Sequence, residues 1–343
     1  MDKGKEQVLI CGGAGYIGSH TAVALIEAGY EVVIVDNLSR SSLDMVEGVR
    51  RITGVEVPFE RVDCCDRDAL AEVFERYPFR SAIHFAAYKS VGESIEKPIE
   101  YYHNNVTSLL NLVELMVERG RCNLIFSSSA TVYGESDTLP VTEETPRKEA
   151  TNPYGHTKQI CEDIVSDATA AHPQFRGVSL RYFNPIGAHP SALIGEMPIG
   201  VPTNLVPYIT QTAAGVRECL SIFGNDYPTP DGTCIRDFID INDLAEAHVA
   251  AIDRLIADRN RSGYEVYNIA TGRGTSVLQL VETFERENGV RLNYRVEKRR
   301  EGDVVAMWAD ATLAHKELGW KATRTLEETL RAAWAWEKRV RGI

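Results

Sequence analysis

Short apolar runs alternate with amphipathic segments through the first half of the chain. Clusters of Val, Ile and Phe predict five buried strands, at residues 7–11, 31–35, 57–62, 81–85 and 123–127. The segments between them, for example residues 20–28 and 66–77, have helical periodicity and are long enough for right-handed crossovers. This alternation predicts an α/β fold with a doubly wound parallel sheet of the Rossmann type.

The character of the chain changes after about Arg181. Gly and Pro become frequent in residues 184–207 and 224–232, and the periodic segments between them are short. Loop-rich stretches of this kind can hold a ligand against a rigid scaffold. We therefore expect two domains that interleave near the C-terminal part. Residues 1–183 carry the doubly wound sheet, and residues 184–343 form a smaller α/β domain that closes a cleft over the carboxyl ends of the strands.

Composition and charge exclude several classes of protein. The 343 residues are 44% hydrophobic and 25% charged, which is ordinary globular composition. The formal net charge of -12 provides no basic surplus for nucleic-acid phosphates or anionic lipid. No apolar run approaches the roughly 18 residues of a membrane helix, and the first residues are charged rather than signal-like. We expect a cytoplasmic protein that binds neither nucleic acid nor a membrane.

The seven cysteines and eight histidines follow no ligand spacing. The cysteines form an odd set without a C-x-x-C pair, which argues against a disulfide framework and against a zinc site. The histidines are scattered, with no pair at the spacing of a helical metal site. We expect reduced cysteines with packing roles and no metal site.

A glycine-rich turn follows the first predicted strand. Gly12, Gly15 and Gly18 fit a G-x-x-G-x-x-G pattern, in which the backbone approaches a pyrophosphate at the N-terminus of a helix. By itself such a run indicates only a tight turn. Asp36 adds context, because it ends the second predicted strand, where a carboxylate binds the adenosine ribose diol and repels a 2'-phosphate. The combination favours NAD over NADP, although the guanidinium of Arg40 could instead receive that phosphate.

The ends of the next two predicted strands carry further candidates. Asp63 either contacts the adenine or caps the helix predicted from Arg67 onward. Phe85, Ala86 and Ala87 lie where a flat cofactor would approach the backbone, and the same segment also suits tight packing of a strand against a helix. Both pairs of alternatives stay open at the level of the sequence.

Tyr154 and Lys158 are four residues apart in a segment with helical periodicity, so both side chains lie on one helix face. A neighbouring ammonium and a cationic nicotinamide favour the phenolate, which would make Tyr154 a usable general base. The same spacing recurs at Tyr294 and Lys298 inside a strand-like stretch, so spacing alone is a weak signal. The first copy is distinguished by a serine cluster that ends the fifth predicted strand, where the hydroxyl of Ser129 can bridge a substrate oxygen and Tyr154.

The glycine-rich turn, the serine cluster and the Tyr154/Lys158 pair together resemble the extended short-chain dehydrogenase/reductase family. The resemblance implies that Ser129, Tyr154 and Lys158 form the catalytic group, and that Lys158 also holds the nicotinamide ribose. It further implies these cofactor contacts: Gly12, Gly15, Tyr16, Ile17, Gly18, Asp36, Asn37, Asp63, Cys64, Phe85, Ala86, Ala87, Lys89, Asn104, Ser127, Tyr154, Lys158 and Tyr182.

Longer blocks resemble the UDP-galactose 4-epimerases within that family. Residues 181–190 are similar to their signature segment, and further blocks lie at residues 91–94, 101–105, 222–229, 231–233, 236–238 and 299–303. The likeness runs from Gln7 to about Trp336. It implies these substrate contacts: Lys89, Ser129, Tyr154, Phe183, Asn184, Asn204, Leu205, Ser221, Phe223, Arg236, Arg300, Asp303 and Met307. Phe223 is expected near the uracil and Asp303 on its ribose.

Within that set, Arg236 and Arg300 supply the fixed cations that a diphosphate needs. Without the resemblance, Arg236 could instead pair with Asp237 or Asp240, and Arg300 could belong to a solvated run of charge. Met307 stands where the family admits or excludes N-acetylated sugars. A flexible side chain of intermediate size leaves that question open.

The resemblance also implies a mechanism. Tyr154 removes the proton of the sugar 4-hydroxyl, hydride passes from C4 to NAD, the 4-keto sugar rotates, and hydride and proton return. The expected activity is interconversion of UDP-galactose and UDP-glucose in galactose metabolism, by a homodimer that retains NAD. A nucleotide-sugar 4,6-dehydratase would need a carboxylate where Ala130 and Thr131 stand. An NAD-binding sensor without turnover is the alternative from another class.

Overall fold

The computed structural model describes residues 6–300 and 303–343. Its strands are β1 Gln7–Cys11, β2 Glu31–Val35, β3 Phe59–Glu60, β4 Ser81–His84, β5 Asn123–Ser129, β6 Arg176–Tyr182, β7 Asn184–Ile186, β8 Leu220–Phe223, β9 Ile235–Arg236, β10 Phe238–Asp240, β11 Tyr264–Ile269, β12 Thr275–Ser276, β13 Tyr294–Glu297 and β14 Ala306–Met307. Seven of them form one parallel sheet in the order β11-β6-β5-β4-β1-β2-β3. The predicted α/β fold with a doubly wound parallel sheet is confirmed.

Helices cover both faces of this sheet. The α-helices of the described residues are α1 Tyr16–Glu27, α2 Leu43–Thr53, α3 Arg67–Arg76, α4 Val91–Glu96, α5 Pro98–Glu118, α6 Pro153–Ala171, α7 Leu205–Ala213, α8 Ile241–Ile256, α9 Val277–Asn288, α10 Thr312–Leu318 and α11 Leu326–Arg341. Side chains alternate along a strand, so β1 contributes Val8 and Ile10 to a core with α1, α2 and α8. The other face of β1 contributes Leu9 and Cys11 to a core with α3, α5 and α6. A strand buried on both faces explains why the sequence shows a continuous apolar run there.

The predicted strands agree with the structure where apolar runs are long. β1 and β2 have the predicted bounds, whereas β5 extends two residues beyond its prediction, to Ser129. β3 is much shorter than residues 57–62, because it is a half-buried edge strand and Pro58 has no N–H for the ladder. Local sequence signals therefore located the centre of the sheet better than its edge.

The second half of the chain forms small sheets and also returns to the large one. β10 pairs with β7, β9 lies between β12 and β14, and β13 pairs with β8. Their core packs helices α7, α9 and α11 together. β11 nevertheless joins the large sheet beside β6, so this sheet contains residues from beyond position 184. The division into residues 1–183 and 184–343 stays a prediction. No helix in the described part of the chain is long and apolar enough to cross a membrane.

Candidate active site

The candidate cofactor residues follow the carboxyl ends of the parallel strands. The ladder aligns Cys11 with Val35 and His84, and it aligns Ser129 with Tyr182. The loops after these strand ends therefore open at one edge of the sheet, which is the edge where ligands bind in open α/β sheets. Most of the predicted contacts lie in these loops and in the first turns of α1 and α6.

The glycine-rich loop has no room for side chains. Gly12 has a φ of +80°, and a Cβ atom on it would lie 2.7 Å from the backbone N of Ala86. A Cβ atom on Gly18 would lie 2.4 Å from the carbonyl oxygen of Gly12. Gly15 precedes α1 and makes no side-chain cap, so no side chain covers the start of the helix. This loop fits the predicted pyrophosphate site, which needs close backbone approach and free N–H groups.

The buried carboxylate of Asp36 organises the adenosine end of the site. Its oxygens accept hydrogen bonds from the N–H groups of Ala14 and Leu38, at 3.1 and 2.9 Å, and from the Ser41 hydroxyl at 2.7 Å. Arg40, the alternative phosphate ligand, pairs instead with Glu93 at 2.7 Å. The arrangement supports the interpretation that this end of the site favours NAD.

Asp63 does not cap the following helix, so that alternative is wrong. Asp66 is the N-cap of α3, and its side chain accepts from the N–H of Ala69 at 3.0 Å. Asp63 accepts from Asn37 Nδ2 at 2.9 Å and from the N–H of Cys65 at 2.8 Å. Two predicted cofactor contacts, Asp63 and Asn37, are therefore hydrogen-bonded to each other beside the end of β2.

Tyr154 and Lys158 lie at the start of α6, as their spacing predicts. Asn152 caps this helix by accepting from the N–H of Gly155 at 2.9 Å, and Pro153 starts its first turn. The ammonium of Lys158 donates to the carbonyl oxygen of Ser127 at 2.6 Å and lies 5.9 Å from the ring centroid of Tyr154. Local capping signals thus place both side chains against the end of β5.

Burial governs the proton affinities at this centre. It raises the pKa of Tyr154, and the Ser129 hydroxyl, as a hydrogen-bond donor that favours the phenolate, lowers it. Burial also lowers the pKa of Lys158 to about 8. A cationic ligand or a deprotonating partner must therefore favour the phenolate before Tyr154 can act as a base at neutral pH.

Two more hydroxyls complete the centre. Ser127 Oγ and Tyr182 Oη are hydrogen-bonded to each other. Ser129 Oγ accepts from the N–H of Thr131 at 3.3 Å, at the start of a 3-10 helix that spans Ala130–Tyr133. The second Y-x-x-x-K copy lies elsewhere, with exposed Tyr294 in β13, as the strand-like sequence predicts.

Charged and aromatic candidates of the second half also come together. Arg236 pairs with Asp303 at 3.5 Å, and the guanidinium of Arg300 pairs with the other oxygen of Asp303 at 3.2 Å. Arg300 also lies over the ring of Phe223, 5.2 Å from its centroid. The Arg300 side chain is 56% exposed, so it is solvated and also belongs to this cluster. Residues 301–302 of that sequence block lie outside the described residues.

The alternative pairing of Arg236 with Asp237 or Asp240 is wrong. Asp237 accepts from the N–H groups of Thr271 and Gly272, at 2.9 and 3.1 Å. Asp240 caps α8 by accepting from the N–H of Asn242. Both carboxylates accept hydrogen bonds from neighbouring main-chain N–H groups. Arg236 forms its ion pair with Asp303 instead.

The remaining predicted contacts line the same region. Phe183 and Met307 belong to one buried cluster that also contains Val132 and Tyr133, directly after Ser129. Met307 is therefore placed between Arg236, its ladder partner, and the end of β5. The other substrate candidates begin or precede short elements: Asn184 in β7, Asn204 and Leu205 at α7, and Ser221 in β8.

The sequence analysis did not predict Glu196, which contacts residues of both the predicted cofactor set and the predicted substrate set. Glu196 Oε1 accepts from Lys89 Nζ at 2.9 Å and from Asn204 Nδ2 at 2.6 Å. Its neighbour Gly195 packs against the indole of Trp336, whose Nε1 donates to the Glu196 carbonyl oxygen at 2.9 Å. A lone carboxylate within a Gly/Pro-rich loop gave little signal, since its partners are far away in the chain.

Comparison with known proteins decides the family. Residues 9–333 match the family model described as GDP-mannose 4,6 dehydratase. A UDP-glucose 4-epimerase from Dictyostelium discoideum is 50% identical over 337 residues, which is 98% of this chain and 97% of the relative. The chain belongs to the UDP-glucose 4-epimerase family.

Solved structures of that family have the same fold. The UDP-glucose 4-epimerase from Stenotrophomonas maltophila, with bound NAD and formylated UDP-arabinopyranose, has a TM-score of 0.95 at 45% identity and covers 98% of this chain and 99% of its own. The enzyme from Bifidobacterium longum, in complex with NAD+ and UDP, has a TM-score of 0.93 at 45% identity, covering 97% and 98%. In this chain the residues after Ser129 are Ala130 and Thr131, so there is no carboxylate at the position where a 4,6-dehydratase would need one.

Proposed function

We propose that this protein interconverts UDP-galactose and UDP-glucose with an NAD molecule that stays bound. The observation that carries the proposal is the reaction centre at the end of β5. There the Lys158 ammonium, one turn beyond Tyr154 on the same face of α6, lies 5.9 Å from the Tyr154 ring centroid and donates to the carbonyl oxygen of Ser127, two residues before Ser129. The names of the relatives and the NAD and UDP in the related structures support the same assignment.

The residues present fit NAD. The glycine-rich loop and the uncapped start of α1 would receive the pyrophosphate, Asp36 and the Asn37–Asp63 pair would hold the adenosine, and Lys158 would hold the nicotinamide ribose. When bound, NAD supplies a hydride acceptor that returns the hydride to the same sugar carbon. Retention of the cofactor follows from a cycle that leaves its oxidation state unchanged.

Tyr154 would transfer the proton of the sugar 4-hydroxyl. The Ser129 hydroxyl lowers the pKa of Tyr154, so a substrate hydroxyl seated between the two groups would have the Ser129 hydroxyl on one side and the phenol oxygen of Tyr154 on the other. The Lys158 ammonium stabilises negative charge on the phenol, because it lies 5.9 Å from the ring centroid in a buried site. Tyr154 removes the proton on one face of the sugar and returns it after the 4-keto sugar has turned.

The cluster of the second half would hold the nucleotide while the sugar turns. Asp303 pairs with both Arg236 and Arg300. When the ribose hydroxyls of the nucleotide bind Asp303, both guanidinium groups become available to the diphosphate. Their paired N–H donors match its paired oxygens. Phe223, beneath Arg300, offers an aromatic face for the uracil. Because the protein would bind the UDP portion and not the sugar in this way, the sugar stays free to rotate.

A homodimer in a cytoplasmic location is part of the proposal. Apolar side chains of α4 and α5 face the solvent, with Val91 43%, Ile95 61%, Ile99 79% and Leu110 45% exposed. A second copy that covers this face would remove that apolar surface from water. The free state of all seven cysteines suits a reducing compartment. We further propose that residues 1–183 bind NAD and residues 184–343 bind the nucleotide sugar.

The direct test is incubation of the purified protein with UDP-galactose, without added cofactor, followed by chromatographic separation of the products. Formation of UDP-glucose is the expected result. Absence of conversion, even after NAD is added, would overturn the proposal and favour an NAD-binding sensor. A parallel incubation with UDP-N-acetylgalactosamine reports whether Met307 admits an N-acetylated sugar.

A further inference from the structure

A buried ion pair lies directly behind the reaction centre. Glu162 of α6 accepts from Arg181 of β6 through two parallel hydrogen bonds, at 2.8 and 2.6 Å. The two side chains are only 2% and 6% exposed. Ser128 of β5 donates to the same carboxylate at 2.6 Å, and the guanidinium also lies over the ring of Tyr133. The proposed proton transfer and nucleotide binding use none of these groups.

Each element that carries the pair also carries a reaction-centre residue beside it. In α6, Glu162 is one turn beyond Lys158, on the same buried face. In β5, Ser128 lies between Ser127, which accepts from Lys158, and Ser129. In β6, Arg181 precedes Tyr182, and the ladder aligns Ser128 with Arg181. The pair therefore joins one helix and two strands at a single layer next to the reacting groups.

We propose that the Glu162–Arg181 ion pair is a positioning unit that fixes α6 against β5 and β6, and that its carboxylate and its guanidinium act with opposite signs on the charge state of Lys158. This inference rests on the proposed function, in which Lys158 acts as a cation. A bidentate Arg–carboxylate pair suits this role, because its planar geometry fixes direction as well as distance. Loss of Glu162 leaves the Arg181 charge buried and uncompensated, close to Lys158, whereas loss of Arg181 leaves the Glu162 carboxylate with only the more distant Arg147.

The charge balance matters because Lys158 is itself buried. Burial lowers the pKa of Lys158 to about 8, while the Cys161 thiol and the Glu162 carboxylate act in the opposite direction. The further charged and titratable groups around this centre are Tyr154 of the same helix, His84 of β4, Arg181 and Tyr182 of β6, and Arg147, which lies 3.5 Å from Glu162. The Glu162 carboxylate favours the Lys158 ammonium, and a guanidinium beside it disfavours that ammonium, so removal of one charge or the other changes the proton affinity of Lys158 with opposite signs.

The test is a set of variants with known charge. Glu162→Gln leaves Arg181 without its buried carboxylate partner, which disfavours the Lys158 ammonium. The alkaline limb of the pH profile of kcat therefore moves to lower pH. Arg181→Met leaves the Glu162 carboxylate with only the more exposed Arg147, at 3.5 Å, so the limb moves to higher pH. The double variant restores neutrality, and its limb returns close to the wild-type position. If the alkaline limb moves by about one pH unit, kcat at a fixed pH on that limb changes roughly tenfold. KM for UDP-galactose should stay nearly unchanged.

A second readout does not need turnover. Lysine labelled with 13C at Cε reports the titration of Lys158 by NMR, and the resonance is assigned from its absence in Lys158→Met. Displacements of the same sign in Glu162→Gln and Arg181→Met, or no displacement in either, would overturn the inference. An inactive wild-type protein with opposite NMR displacements would reject the proposed function alone.

Two milder variants cover the case in which a lone buried charge prevents folding. Arg181→Lys keeps the charge but loses the bidentate geometry, so we expect a lower kcat with an unmoved alkaline limb. Ser128→Ala removes one hydrogen bond and no charge, with the same expectation. Thermal unfolding identifies the folded variants. A moved limb in Arg181→Lys or Ser128→Ala, or unchanged kcat in both, would contradict the positioning role.

Discussion

The ammonium of Lys158 is directed at the main chain of Ser127, with its Nζ atom 2.6 Å from the carbonyl oxygen. This contact holds the cation against the end of β5, on the same helix face as Tyr154. It also places the ammonium in a buried site, where burial lowers the pKa of Lys158 to about 8. Both the geometry and the charge state of this one residue lead to measurable consequences.

The first prediction concerns pH. The depressed pKa means that the ammonium is present below about pH 8 and is lost as the pH rises through that value, so kcat should fall on the alkaline side. Lys158→Met should lower kcat by about 100-fold or more, the range for loss of a group that supports acid–base catalysis. The matched control is Lys298→Met, at the exposed second copy of the spacing. A kcat that stays constant up to pH 10 would contradict the assignment.

The second prediction concerns the proposed base. Tyr154→Phe should retain the fold and the bound NAD, because the phenol ring still packs, but should lose about 100-fold to 10,000-fold in kcat. Tyr294→Phe is the control, since Tyr294 lies in the exposed strand β13. NAD content is measured after denaturation of each variant. Near wild-type turnover in Tyr154→Phe would reject its role.

The third prediction concerns the glycine-rich loop. In Gly18→Ala the new Cβ atom would lie 2.4 Å from the carbonyl oxygen of Gly12, so the loop must shift and the purified protein should lose its NAD. Gly92→Ala is the control, because a Cβ atom there meets no atom within 4 Å. Equal NAD content in the two variants would show that the loop does not form the cofactor site.

The fourth prediction concerns nucleotide binding. Arg300→Met removes one of the two guanidinium groups that pair with Asp303, so KM for UDP-galactose should rise by about 10-fold to 100-fold, as expected for loss of a hydrogen bond to a charged group. Because the change is remote from the reacting atoms, kcat should stay nearly constant. The control is Arg291→Met, at a side chain that is 93% exposed. A fall in kcat without a change in KM would argue against nucleotide contact.

The fifth prediction concerns assembly. Ile99→Asp places a charge in the exposed apolar face of α4 and α5, so the proposed dimer should dissociate in size-exclusion chromatography at micromolar concentration. Val340→Asp, at an exposed apolar side chain of α11, should leave the elution volume unchanged. If wild-type protein elutes as a monomer, the homodimer proposal fails.

Local signals in the sequence determined much of the fold and of the reaction centre. The apolar runs of β1 and β2 gave their bounds, because strands buried on both faces need continuous apolar residues. Asn152 and Pro153 start α6 by capping chemistry that acts within one turn, which places Tyr154 and Lys158 on one helix face as their spacing predicts. The substrate set, by contrast, came from resemblance to a family and from no local rule.

Only the tertiary structure decided which charged groups meet. Asp66, not Asp63, caps α3, and Arg236 pairs with Asp303, which is 67 residues away in the chain. The Glu162–Arg181 pair likewise depends on the packing of α6 against β6. Sequence periodicity specifies which face of an element is buried, but it carries no information on which distant face packs there. Long-range pairing is fixed by the order of strands in the sheet, and that order emerges only when the whole core is assembled.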